Sequence, residues 1–204
     1  MQIWVIRHAS TSASLEGRLQ GQLDYPLCER GRWEAQCLAH RLQQVKFTHS
    51  FCSPLQRAYE TAQTVLAGRS VPLSVNWRFQ EYGWGILEGL TWDEIHLLYP
   101  NLYYKIKNVF WWAKVPERES RRRFMARVKS SYYYLSSCNS SRDKILLVSH
   151  GRFLNAFISF LIKGSLRQKW EYAPSPASVS LLERVPGKDN FILRFFNDCQ
   201  HLFN

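Results

Sequence analysis

Acidic residues are scarce in this chain: 16 aspartates and glutamates stand against 27 lysines and arginines, which leaves a net charge of +11 over 204 residues. Such an excess admits nucleic acid, an anionic membrane surface or small anionic substrates as partners. Cysteine is sparse as well. Cys28, Cys37, Cys52, Cys138 and Cys199 are odd in number, scattered and free of any C-x-x-C pair, which argues against a disulfide framework and against a zinc site. No apolar run is long enough to span a bilayer, "FLNAFISFLI" being the most apolar. The opening residues show no basic segment followed by a long apolar stretch and a small-residue cleavage site, so no secretory leader is expected. A reducing cytoplasmic location, without membrane association, is the expectation.

What is present is a globular composition, 46% hydrophobic and 21% charged, sized for one domain carrying at most a small insertion. Ile3 to Ile6 reads as a short buried strand. "CERGRWEAQCLAHRLQQV" places Ala35, Leu38, Leu42 and Val45 at helical spacing. "KFTHSFCS" alternates like a strand, and "SPLQRAYETAQTVLAG" reads as a helix capped by Ser53, with Pro54 at its first position and Gly68 at its close. "VPLSV" is a further strand, "DKILLVS" is a continuously apolar one, and "FLNAFISFLIKG" is the helix that follows it. "ASVSLLERVPGKDNFILRFF" reads as two strands about a Pro186-Gly187 turn. Strands alternating with helices predict an α/β fold, a three-layer sandwich whose central, mostly parallel sheet is flanked by helices. Residues 1–204 are read as one domain, with a helical lid over the crevice at approximately 82–137. Thr91 and Glu94 form a capping box inside that segment. The basic run "PERESRRRFMARVK" reads as a solvated helix face, nucleic-acid binding being the competing reading.

Ligands of such sheets bind beyond the carboxyl ends of the strands, and both "RHAST" and "SHG" follow an apolar strand there. At this point the chain resembles the histidine phosphatase superfamily, in the branch of the small cofactor-independent phosphatases and the phosphoglycerate mutases. The resemblance is carried by "RHAST", "GRLQGQLDYPLCERG", "SPLQRAYETA", "QEYGWGILEGLTWDEI", "PERES" and "VSHG", in the family's order over nearly the whole chain. It implies a phosphohistidine intermediate on His8, phosphate binding by Arg7 and Arg57, and a cationic His150 that steadies the charge developing in transfer. Glu81 is implied as the proton carrier, with Glu88 as the competing carboxylate. Ser14, Gln20, Gly21 and Gly151 complete the implied substrate contacts. Ala9, Ser10 and Ser14 depart from the glycine, glutamate and asparagine usual in the family. The residue chemistry agrees: phosphoryl oxygens call for directed cationic donors, and an imidazole can attack only when neutral.

The compact length favours hydrolysis over mutase transfer, and the opening "MQIWVIRHAST" is similar to the α-ribazole phosphatases and their broad-specificity relatives. Neither a metal nor another cofactor is expected. A small phosphomonoester is the expected partner. Trp84, Trp92, Tyr99, Tyr103, Tyr104, Phe110, Trp111 and Trp112 crowd the lid; most are read as core, and any that face the crevice can stack on a flat, nucleotide-like ring. Nucleic acid is not an expected partner, and a homodimer is compatible with the reading. The alternatives are a phosphoglycerate mutase-type transferase and a catalytically weakened member that binds an anion or RNA.

Overall fold

The computed structural model describes residues 1–109, 113–137, 143–164, 171–185, 187 and 190–203. Phe110, Trp111, Trp112, Cys138 and Pro186 of the sequence reading lie outside them. In chain order the elements are β1 (Gln2–Arg7), α1 (Ser12–Leu15), α2 (Glu29–Arg41), β2 (His49–Cys52), α3 (Gln56–Leu66) and β3 (Leu73–Val75). There follow α4 (Trp92–Leu98), α5 (Pro100–Val109), α6 (Arg121–Ser137), β4 (Lys144–Ser149), α7 (Gly151–Lys163), β5 (Val179–Arg184) and β6 (Phe191–Asp198).

The six strands form one sheet in the order β3-β2-β4-β1-β5-β6. β3, β2, β4 and β1 run parallel, while β5 is antiparallel to both β1 and β6. Side-chain alternation assigns the two faces. Ile3, Val5, Ile145 and Leu147 pack with Phe124, Val128 and Leu135 of α6 and with Phe153, Phe157 and Leu161 of α7. Their chain neighbours Ile6, Leu146 and Val148 pack on the other side, with Leu38 of α2 and Ala58, Ala62 and Val65 of α3. This is the α/β three-layer arrangement read from the sequence, and residues on both faces of β4 are buried.

Two boundaries differ from the sequence reading. α6 falls inside the segment 82–137 read as a lid, yet its inner stripe belongs to the sheet's own core; it is a layer of the sandwich. α3 begins at Gln56 with Leu55 as its cap residue, later than the Ser53-Pro54 start. The serine hydroxyl accepts from the Leu55 N–H at 3.2 Å, while the Gln56 N–H is capped by Asp24 from a distant loop at 2.6 Å. The capping box of α4 is present as expected, Thr91 and Glu94 each accepting the other's backbone N–H.

The candidate active site

His8 and His150 are brought together by register. Arg7 pairs with Ser149 across the parallel β1–β4 ladder, and each histidine is the residue that follows. The His8 N–H donates to the Ser149 carbonyl at 2.9 Å, and the two imidazole centroids stand 5.1 Å apart. Both rings are buried.

The tautomer of His8 follows from one bond. Its Nδ1 lies 2.8 Å from the Ala9 carbonyl oxygen, which can only accept, so Nδ1 carries the hydrogen. In the neutral ring Nε2 then holds the lone pair. Burial lowers the His8 pKa well below its ordinary value, with Arg57 and then Arg7 adding to the effect against the Ala9 carbonyl. His150 is lowered well below its ordinary value too, by burial first and then by Arg57, His8, Arg127 and Arg7. Desolvation and the surrounding cations therefore disfavour the cationic form of His150 that the resemblance implies.

The loop after His8 is pinned from both helices beneath it. The Ala9 N–H donates to Thr61 Oγ1 of α3 at 3.1 Å. The Ser10 N–H and hydroxyl both donate to Glu34 of α2, at 2.8 and 2.9 Å. Gly31 is required here because a Cβ would stand 1.9 Å from the Ser10 carbonyl oxygen. The sequence reading missed Glu34, although its place between Gly31, Ala35 and Leu38 on the inner face of α2 is a usable signal.

Arg7 donates to the Pro174 carbonyl at 2.8 Å. Arg57 is fully buried, and its two terminal nitrogens donate to the carbonyls of Leu23 and Gly21 at 2.7 and 2.8 Å. Its fork is therefore committed in part to the loop. The Nε atoms of Arg7 and Arg57 and both ring nitrogens of His150 are buried with no hydrogen-bond partner among the described residues. An unpaired buried polar group costs about 1–3 kcal/mol, so an oxyanion with several acceptor oxygens fits this set. Burial lowers Arg57 to about 10, against the pull of Glu81 and Asp24, and it stays charged at neutral pH.

Glu81 meets the start of α7. One of its oxygens accepts from the Tyr82 and Phe153 N–H groups at 2.8 and 3.0 Å, the other from the Arg152 N–H at 3.1 Å. A helix N-terminus with unpaired N–H groups is a natural seat for a carboxylate. Glu88 is used differently, accepting from the Gln22 and Trp84 N–H groups at 3.0 and 2.8 Å. Its carboxylate packs against Gly21, where a Cβ would stand 2.0 Å from it and where φ is +52°. Gln20 accepts from the Thr11 hydroxyl at 3.0 Å. The Gln20-Gly21 turn thereby holds Arg57 and the loop after His8 in place. Gly151 opens α7 beside the Arg7 guanidinium.

One expectation is corrected. The Ser14 hydroxyl donates to the Thr11 carbonyl and accepts the Thr11 N–H, both at 2.8 Å, within the capping box of α1. Local bonding has consumed the group read as a phosphate donor. The aromatic residues of the segment read as a lid pack largely on one another, in line with the reading of most of them as core: Tyr82, Trp84, Trp92 and Tyr103 form an edge-to-face chain with centroids 5.5, 6.0 and 6.3 Å apart. The ring lining the groove beside Gln22 and Gln80, about 860 Å³ in volume, is instead Trp77.

The two neutral histidines carry a stability prediction. An exposed histidine titrates near 6.5, so below about pH 6.5 the unfolded chain takes up protons that the folded site refuses. Their contribution is whole above that pH and is lost progressively as pH falls toward the lowered folded values. Denaturant midpoints are expected to be lower at about pH 5.5 than at about pH 7.5. The drop is expected to shrink in a His8→Asn/His150→Asn double variant; an unchanged drop would assign the effect elsewhere.

Among the described residues no helix is long and apolar enough to cross a membrane, and no group of three or more His, Cys, Asp or Glu is placed to hold a metal ion. The chain is similar to the α-ribazole phosphatase from Shigella flexneri, with a TM-score of 0.89, 28% identity and coverage of 98% of this chain and 97% of that one. YhfR of Bacillus stearothermophilus matches with a TM-score of 0.88, 27% identity and 98% coverage of each chain. Among curated proteins, the "Probable phosphoglycerate mutase GpmB" of Escherichia coli O1:K1 is 29% identical over 164 residues, 79% of this chain and 75% of that protein. The model of the histidine phosphatase superfamily, branch 1, matches residues 3–198. With His8 and His150 following β1 and β4, Arg7 ending β1 and Arg57 in α3, these matches place the chain among the enzymes of the histidine phosphatase superfamily, to which it belongs.

Proposed function

We propose that the protein is a metal-independent phosphomonoester hydrolase working through a phosphohistidine on His8. The observation that carries this is the His8 Nδ1–Ala9 carbonyl bond, which leaves a neutral Nε2 lone pair in a buried pocket beside Arg7, Arg57 and His150. In the first half-reaction Nε2 attacks phosphorus, the ester P–O bond breaks, and Glu81 gives its proton to the departing oxygen. In the second, water attacks the phosphohistidine, Glu81 takes a proton back and the P–N bond breaks. The Glu81 oxygen bonded to Arg152 accepts one N–H and the other accepts two, so the former has room for the proton. Arg7, Arg57 and His150 stabilise the equatorial oxygens. Arrival of a phosphate dianion offsets the cations around His150 and favours its protonated form.

The substrate in this reading is a small, nucleotide-like phosphomonoester of the α-ribazole phosphate kind, supported by the similarity to the Shigella flexneri α-ribazole phosphatase. Trp77 offers an exposed ring in a groove with Gln22, Gln80 and Ser130. A phosphate-release panel of esters tests the proposal, run with and without a chelator. Release from several esters at a chelator-independent rate is expected, because the Arg and His groups already supply the positive charge; a loss restored only by a divalent ion would sink the mechanism. The name of the Escherichia coli relative supports a second reading, phosphoryl transfer to a substrate hydroxyl. Interconversion of 2- and 3-phosphoglycerate without net phosphate release would establish it.

A further inference from the structure

We propose that Arg127, through its ion pair with Glu119, is a positioning residue for Glu81, an inference that rests on the reading of Glu81 as the proton carrier. Arg127 lies in the basic run that reads as a solvated helix face, yet it is buried. It follows Phe124 by three positions and precedes the buried Ser131 by four, on the inner side of α6.

All five of its N–H donors are used. Nε and one terminal nitrogen donate to the two oxygens of Glu119, at 3.0 and 2.6 Å. The remaining three bonds go to the backbone carbonyls of Arg78, Gln80 and Glu81, at 3.2, 2.5 and 3.1 Å. Its guanidinium also lies over the rings of Phe124 and Phe153, 5.2 and 5.9 Å from their centroids.

The segment 80–84 belongs to no helix or strand, so the Gln80 and Glu81 carbonyls lack ladder partners and Arg127 supplies donors to them. Glu81 is thereby held at both ends. Its carboxylate sits on the first N–H groups of α7, and its carbonyl is held by α6 together with Gln22 Nε2, which donates at 3.1 Å. The Glu119 carboxylate neutralises a cation that would otherwise be buried alone, an arrangement whose disruption is costly. Arg127 touches no reacting atom; it fixes the backbone from which the acid projects, and small misplacements of catalytic groups carry large rate penalties.

The test compares an alkyl phosphate with a nitrophenyl phosphate in Arg127→Lys and Glu119→Gln, beside Glu81→Gln. In Arg127→Lys, turnover of the alkyl ester is expected to fall roughly 10–10²-fold. The burst of nitrophenol and competitive inhibition by inorganic phosphate are expected to change less than about twofold, since neither calls on the acid. Glu119→Gln is expected to show the same selectivity with a smaller loss. In a Glu81→Gln background Arg127→Lys is expected to add little, because the group it positions is already disabled. Equal losses of alkyl turnover and of the nitrophenol burst, or an undiminished loss in that background, would overturn the inference. Failure of both variants to show a cooperative thermal transition would also overturn it, by making the clamp a requirement of the fold alone. Should Glu81→Gln itself fail to distinguish the esters, the acid assignment falls instead, an outcome separate from selectivity that is present in Glu81→Gln and missing in Arg127→Lys.

Discussion

Replacing His8 by alanine is expected to lower turnover by roughly 10⁴-fold or more and to remove the covalent phosphoenzyme altogether. The argument is one of atoms. Its Nδ1 proton is held by the Ala9 carbonyl at 2.8 Å, so the lone pair is confined to Nε2 in a ring that burial and two arginines keep neutral. His150 is also buried and neutral, but neither of its nitrogens is fixed by a protein acceptor among the described residues, so nothing selects its tautomer before an anion binds. The check is rapid acid and alkaline quench after mixing with ³²P-labelled substrate. Wild-type protein is expected to hold acid-labile, alkali-stable label, and His8→Ala to hold none. Label retained by the alanine variant would move the nucleophile elsewhere. Thermal unfolding of the variant should be followed in parallel, since removing a buried ring leaves a cavity.

Much of this site is legible in the sequence because its geometry comes from strand register. Two apolar runs that each end on a histidine, "IWVIRH" and "ILLVSH", become adjacent parallel strands. Both imidazoles then stand at the same edge of the sheet by construction. The inner faces of α3 and α7 were legible for the same kind of reason, their apolar residues recurring at helical spacing. What escaped was bonding that a motif does not encode. Ser14 sits at a position the resemblance associates with phosphate, but three residues back stands Thr11, and the pair closes a capping box that takes the hydroxyl. Arg57 matches its motif, yet part of its fork is committed to loop carbonyls more than thirty residues away. The cap of α3 comes from Asp24 across the same distance. Charge hides best where it is buried by its partner. Glu34 and Arg127 look like surface residues of charged helices until Ser10 and Glu119 are brought against them.

Glu81→Gln separates a proton carrier from a carboxylate that merely shapes the pocket, and it carries the second large expected effect. The departing alkoxide of an alkyl phosphate is a poor leaving group, so loss of the acid is expected to lower that turnover by roughly 10²–10⁴-fold. A nitrophenolate leaves unaided, and formation of the phosphohistidine from its ester is expected to be nearly unchanged. Hydrolysis of the intermediate still calls for a base, which predicts a burst of nitrophenol followed by slow turnover. The glutamine retains one acceptor oxygen for the N–H groups at the start of α7, but its NH₂ would face one of the backbone donors that the carboxylate now accepts, so a modest fall in stability is expected beside the kinetic effect. Glu88→Gln is the matched control. That carboxylate accepts the Gln22 and Trp84 N–H groups and packs on Gly21, whose carbonyl Arg57 holds. Its loss is expected to loosen the turn bearing on Arg57 and so to weaken phosphate binding for both esters alike. A leaving-group-selective loss in Glu88→Gln, with none in Glu81→Gln, would transfer the acid to Glu88. Equal losses of the burst and of alkyl turnover in Glu81→Gln would leave Glu81 as a brace for α7.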